Sequence, residues 1–296
     1  MNVQMEKEII EGVLSRLIEQ GLLENRPGTE KLFRNPAGAD DNQEPITLEP
    51  KNTIGIKTPH NLEALKVMRK TSPARILMGR CGARQRTPSL LHFLADHAAA
   101  VDAVFLDVSD QCVEANGLFR VKTVVSSKDE YLMKPELGKK LDPETKKAIA
   151  EKCEKGVQVQ IIVVDGLSST SIEANLSDVL PSLVQGLKTE GIRVGTPFFI
   201  QYGRVGVMDE VAPLVDCDVI VEFIGERPGL ITAESMSAYM AYRPNADTVE
   251  ADRTVISNIH RGGMPPAEAG AHLATVVKQI LTHKKAGVAL SEALRK

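Results

Sequence analysis

Aromatic side chains make up only 4% of the 296 residues, so the interior must be aliphatic, and apolar interface cannot be told from core by pattern. The cysteines are four, Cys81, Cys112, Cys153 and Cys217, and no two form a CxxC pair. That excludes a disulfide framework or zinc cage and fits reduced thiols in a cytosolic setting. An excess of one charge is also missing. The formal net charge is −3 with no long basic block, which argues against a nucleic-acid partner. No apolar run is long enough to span a bilayer, and the N-terminus lacks the apolar stretch of a secretory signal, so a soluble, intracellular protein is expected with no membrane partner.

Several catalytic signatures are absent too. No strand is followed by GxGxxG; the nearest pattern, Gly79-Arg80-Cys81-Gly82, has the wrong spacing. A phosphate-loop lysine motif, HExxH and a G-x-S-x-G elbow are all missing. His92 and His97 are five apart and do not share a helix face well, so no metal site is expected. By residues alone this is a binding domain without an evident catalytic set.

What is present is 43% hydrophobic and 25% charged residues, enough for a packed interior. In residues 1–20, Ile9, Ile10, Val13, Leu14, Leu17 and Ile18 recur at helical spacing opposite Glu6, Glu11 and Glu19. This predicts an amphipathic helix that either folds back onto the main domain or docks on another protein. Residues 21–52 carry Pro27, Pro36, Pro45 and Pro50 with little periodicity and read as a flexible linker. Residues 53–155 read as mostly helical, with helices over 62–70, 89–100 and 143–155, the last N-capped by Asp142.

From residue 156 the pattern alternates. Strands are predicted over 157–164, 197–202 and 219–224, with a further one over 237–242. Helices are predicted over 171–189, 209–215 and 265–285, and Thr170 with Glu173 has capping-box spacing. Such alternation implies an α/β fold, a Rossmann-like parallel sheet with flanking helices, covering residues 156–296. Ligands of such sheets bind beyond the carboxyl ends of the strands, here the loops 165–170, 203–206 and 225–229. Their glycines would let backbone approach a ligand, and the free N–H groups of the helix after the first loop could receive a phosphate. Alternatively, Asp165 and Ser168 merely cap and turn the chain.

Longer segments carry a more specific signal: 79–88 (GRCGARQRTP) with 93–97 (FLADH), 165–168 (DGLS), 194–205 (VGTPFFIQYGRV), 225–230 (GERPGL) and 249–260 (VEADRTVISNIH). In this order they resemble the small (light) subunit of ethanolamine ammonia-lyase, over residues 53–285. The resemblance implies a lyase subunit with no catalytic residue of its own. It would hold adenosylcobalamin against a large TIM-barrel subunit that binds ethanolamine, for radical conversion to acetaldehyde and ammonia. It implies corrinoid contacts at Val205, Glu226 and Val255, and at Val255 the sequence departs from relatives that carry cysteine. Arg204, beside the same turn, is added as a candidate to pair with a phosphate or amide oxygen. The segment 258–263 (NIHRGG) is similar to D-x-H-x-x-G, with which some cobalamin enzymes ligate cobalt. Asn258 replaces the orienting acid, so a structural His260 is expected. The resemblance further implies a location in a bacterial microcompartment within the cytoplasm, with residues 1–20 as contact to its shell. The alternatives are a stand-alone nucleotide-dependent α/β enzyme and a microcompartment adaptor protein.

Overall fold

The computed structural model describes residues 53–295; the docking helix expected over 1–20 and the linker over 21–52 lie outside the described residues. In chain order the described elements open with α1 (Leu62–Lys70), the small hairpin β1 (Arg80–Cys81) and β2 (Arg84–Gln85), α2 (Thr87–Phe105) and α3 (Asp110–Ala115). Then come β3 (Phe119–Lys122), α4 (Lys128–Met133), α5 (Pro143–Lys152), β4 (Val159–Val164), α6 (Ser169–Thr189) and β5 (Phe198–Gln201). The chain closes with α7 (Met208–Val215), β6 (Val219–Gly225), β7 (Met236–Tyr242), β8 (Arg253–Ile259), α8 (Pro266–His283) and α9 (Gly287–Leu294).

β4 is buried at all six positions, as a run of VQIIVV between two covered faces must be. It lies inside a six-stranded sheet of order β3-β5-β4-β6-β7-β8. The first four strands run parallel, and β7 and β8 extend the sheet antiparallel beyond β6. From β4 the chain steps to one side for β5 and then crosses to the other for β6. Right-handed crossovers in opposite directions put α6 and α7 on opposite faces. On one face Ile161, Val163 and Phe223 pack with Leu176 and Leu183 of α6 and Leu273 and Val277 of α8. On the other, Ile162, Val164 and Ile200 pack with Ile149 of α5 and Val211 of α7. Burying these aliphatic side chains is worth roughly 1.5–3 kcal/mol each and supplies the main stabilising force.

The mixed α/β architecture agrees with the sequence, and Asp142 caps α5 by accepting a 2.8 Å hydrogen bond from the Glu144 N–H. The short hairpin β1–β2 and two strands of the main sheet were not foreseen. β3 sits in the stretch read as mostly helical, and β8 in a stretch given no element. Both are edge strands, and only Val121 is fully buried in β3, and only Arg253 and Ile259 in β8. A half-solvated edge carries too little apolar pattern to announce itself. The α6 start also differs: Ser168, not Thr170, is the N-cap, accepting from the Ser171 N–H at 3.2 Å. Glu173 instead accepts the Ser109 N–H at 2.7 Å and ties α6 to the start of α3.

Candidate functional site

The carboxyl ends of the parallel strands are knitted together around Asp165, which is 1% exposed. Its carboxylate accepts backbone N–H groups from Gly166 (3.0 Å), Tyr202 (2.8 Å) and Gly203 (3.1 Å). Burial still outweighs these bonds and pushes its pKa up to about 6. Tyr131 of α4, wholly buried, places its hydroxyl 2.7 Å from the Gly166 carbonyl and 2.8 Å from that of Gly203. It donates to one of the two. The loop glycines serve the same closure. A Cβ on Gly225 would lie 2.3 Å from the Ser168 carbonyl, and one on Gly203 2.5 Å from Val164. Backbone fills the room beside Gly225, and the Val164 and Ile200 side chains fill that beside Gly203. Ser168 donates to Ala233 O at 2.5 Å and is buried with Ser169 and Ser171. The helix start expected to receive phosphate is therefore capped and covered. Asp165 and Ser168 cap and turn the chain.

Of the residues drawn from the resemblance, Val205 and Glu226 lie in two of these strand-end loops, and Val255 lies on β8. Glu222, Tyr239 and Val255 sit side by side across β6, β7 and β8, on the face that α5 and α7 cover further along. Beyond α7 the described residues leave that face partly open: Tyr239 is half-buried, Val255 is 45% exposed, and Ser257 is exposed. Val205 opens the 3-10 turn Val205–Val207 that leads into α7, at the border of the covered part. Glu226 follows β6 at the upper rim. Its carboxylate accepts from Ser235 Oγ (2.7 Å), Ser237 Oγ (2.7 Å) and the Asn258 N–H (2.9 Å). Burial alone would raise its pKa, but these donors and the nearby His260 hold it below the ordinary value, so it is anionic at neutral pH. Glu226 thus touches β8 directly, and Val205 stands just before α7, whose Asp209 pairs with Arg253 of β8.

Arg204 is held rather than free. Its guanidinium lies 4.1 Å over the Tyr131 ring and donates to the Tyr131 carbonyl at 3.1 Å, leaving Nε without a partner. It makes no ion pair among the described residues. His260 is structural: Nδ1 accepts the Gly262 N–H at 3.1 Å, which assigns the ring proton to Nε2 and its 2.8 Å bond to Asn258 Oδ1. Neither nitrogen is left for a metal.

Sequence reasoning missed a buried charged cluster at the lower edge of the same face. Arg253, its side chain 4% exposed, pairs with Asp209 at 2.6 Å and Glu250 at 3.0 Å. Beside it Glu222 is 0% exposed, and neither of its oxygens has a hydrogen-bond partner. The signal was present in β6: one acid inside VIVEFIG, an otherwise apolar buried run.

A doubly wound α/β sheet flanked by helices, with an antiparallel extension, defines a domain of the Rossmann-like class. The comparisons with known proteins narrow this. The family described as ethanolamine ammonia-lyase light chain (EutC) matches residues 62–291. The chain is 43% identical over 294 residues to the ethanolamine ammonia-lyase small subunit of Clostridium perfringens, spanning 98% of this chain and all of that protein. It is 44% identical to that of Fusobacterium nucleatum over 283 residues (95% and 96% of the two chains) and to that of Clostridioides difficile over 287 residues (97% and 94%). The chain belongs to the ethanolamine ammonia-lyase small-subunit family, whose members are parts of a lyase.

The partly open face suits the cofactor expected from that family. A corrin is a flat macrocycle rimmed by carboxamides. Exposed Val255 and half-buried Val205 would offer such a group apolar contact, and the Glu226 carboxylate would accept from its carboxamides.

Proposed function

We propose that this chain is the small subunit of an adenosylcobalamin-dependent ethanolamine ammonia-lyase. It holds the corrinoid against a large catalytic subunit. What supports the reading is that Glu226 is bonded to β8, the strand that carries Val255, and that α7, which Val205 precedes, is tied to β8 through Asp209 and Arg253. When bound, the cofactor supplies the radical chemistry of carbon–nitrogen cleavage. This chain's part is position and electrostatics. Val205 and Val255 provide an apolar bed, and Glu226, kept ionised by its three donors, accepts carboxamide N–H groups. The Asp165–Tyr131 closure keeps the 203–205 turn rigid, so Val205 stays in place while Arg204 braces it from Tyr131. We extend the proposal to location: the complex lies in a bacterial microcompartment, with residues 1–20 meeting its shell.

The stand-alone nucleotide enzyme gains no support, because the α6 N-terminus is capped by Ser168 and buried. Ethanolamine deamination with adenosylcobalamin, measured for this chain, the large subunit and their mixture, tests the main reading. Activity is expected only in the mixture. Glu226→Ala should weaken corrinoid affinity about tenfold, the loss of one charge-assisted hydrogen bond. An inactive mixture, with a large subunit known to be competent, would overturn the assignment.

A further inference from the structure

The Asp209, Glu222 and Arg253 cluster has more acceptors than donors. Arg253 of β8 spends one terminal nitrogen on Asp209 Oδ2 of α7 and the other on Glu250. Asp209 Oδ1 and both oxygens of Glu222 are buried, and among the described residues no group donates a hydrogen bond to them. An ionised Glu222 in that position would be a wholly buried anion with no donor, a state that costs several kcal/mol. A neutral carboxylic acid instead brings an O–H of its own, and the free Asp209 oxygen is the acceptor such a group needs.

We propose that Glu222 is a positioning residue held as a neutral acid, which hydrogen-bonds Asp209 Oδ1 across one bridging water. The bond completes a clasp from β6 through Asp209 and Arg253 that fixes edge strand β8 against α7. The clasp matters because Val205 precedes α7 and Val255 lies two residues beyond Arg253. The distance between the two apolar contacts of the open face is set by this tie. Ionising Glu222 removes its donor and places a second anion beside Asp209, so the clasp opens as pH rises.

The charged and titratable groups facing Glu222 are Asp209 from α7, Arg253 from β8, Glu250 from the turn before it, Tyr239 from β7 and Tyr131 from α4. β4 contributes apolar Ile162. Lys139 acts on Asp209. Burial drives the Glu222 pKa well above its ordinary value of 4.5, Arg253 opposes this, and Asp209 and Glu250 add to it. The folded state therefore keeps a proton that the unfolded chain releases near 4.5, and stability falls as pH rises above that point until Glu222 ionises in place.

Amide hydrogen exchange on the full chain, from about pH 5 to about pH 9, tests the clasp. In the wild type, protection factors over residues 253–259 should fall about tenfold with rising pH while those of β4 hold. Glu222→Gln, which keeps a donor but cannot ionise, should hold wild-type protection without the pH slope. Glu222→Leu and Asp209→Asn should each lose about tenfold in β8 across the whole range. The proposal is overturned if the Leu variant keeps wild-type protection, if the Gln variant loses as much as the Leu variant, or if Gln and wild type share one pH dependence. No corrinoid enters these measurements, so their outcome is independent of the cofactor reading.

Discussion

Asp165 shows how much one buried side chain decides. Replacing it by Ala strands the Gly166, Tyr202 and Gly203 N–H groups, each costing about 1–3 kcal/mol when left unpaired. We expect urea denaturation of Asp165→Ala to show a loss of at least about 3 kcal/mol. The same residue gives a pH dependence. Its folded pKa of about 6 lies above the ordinary 3.8, so the folded state retains the proton longer and this group lowers stability as pH rises between those values. Asp165→Ala should remove that part of the slope. Glu226 has the opposite sign: its pKa is depressed, so its contribution is complete above 4.5 and is lost as pH falls through its folded value. Corrinoid affinity should weaken on the acid side in the wild type and become flat there in Glu226→Gln.

At the scale of elements, the packing of α6 against α8 depends on close approach. A Cβ on Gly270 would sit 2.5 Å from the Val179 carbonyl and 2.6 Å from Ser182 Cβ. Gly270→Val should therefore push the helices apart, at about 1–3 kcal/mol or more in a chemical-denaturation curve, with the opposite face of the sheet spared. The elements also show where sequence reading works. β4 and β6 are legible because both faces are covered, and a buried strand must be apolar throughout. β3 and β8 were not, because edge strands mix exposed and buried positions over a short length. α2 inverts the lesson. It is rich in apolar residues, yet only Ala103 is buried, and Leu90, Leu94, Val101 and Phe105 are all more than 40% exposed. An apolar helix pattern does not say whether the chain itself supplies the cover.

For the whole molecule, the described fold and the N-terminal segment should separate in function. Deleting residues 1–20 is expected to leave deamination by the mixture with the large subunit unchanged and to abolish co-purification with microcompartment shells. Activity lost along with encapsulation would mean that the segment serves the enzyme instead. The sequence by itself determined the alternation of strand and helix after residue 156 and the family. Those properties are written in local runs of residues, where period and motif can be read. Only the tertiary structure decided that Gly166 and Gly225 close on each other's backbone, that Asp165 ties its own turn to that of Tyr202 and Gly203, and that Glu222 lies buried near Asp209 and Arg253. These depend on the register between strands far apart in the chain, and one sequence carries no local mark of which distant strand lies beside which.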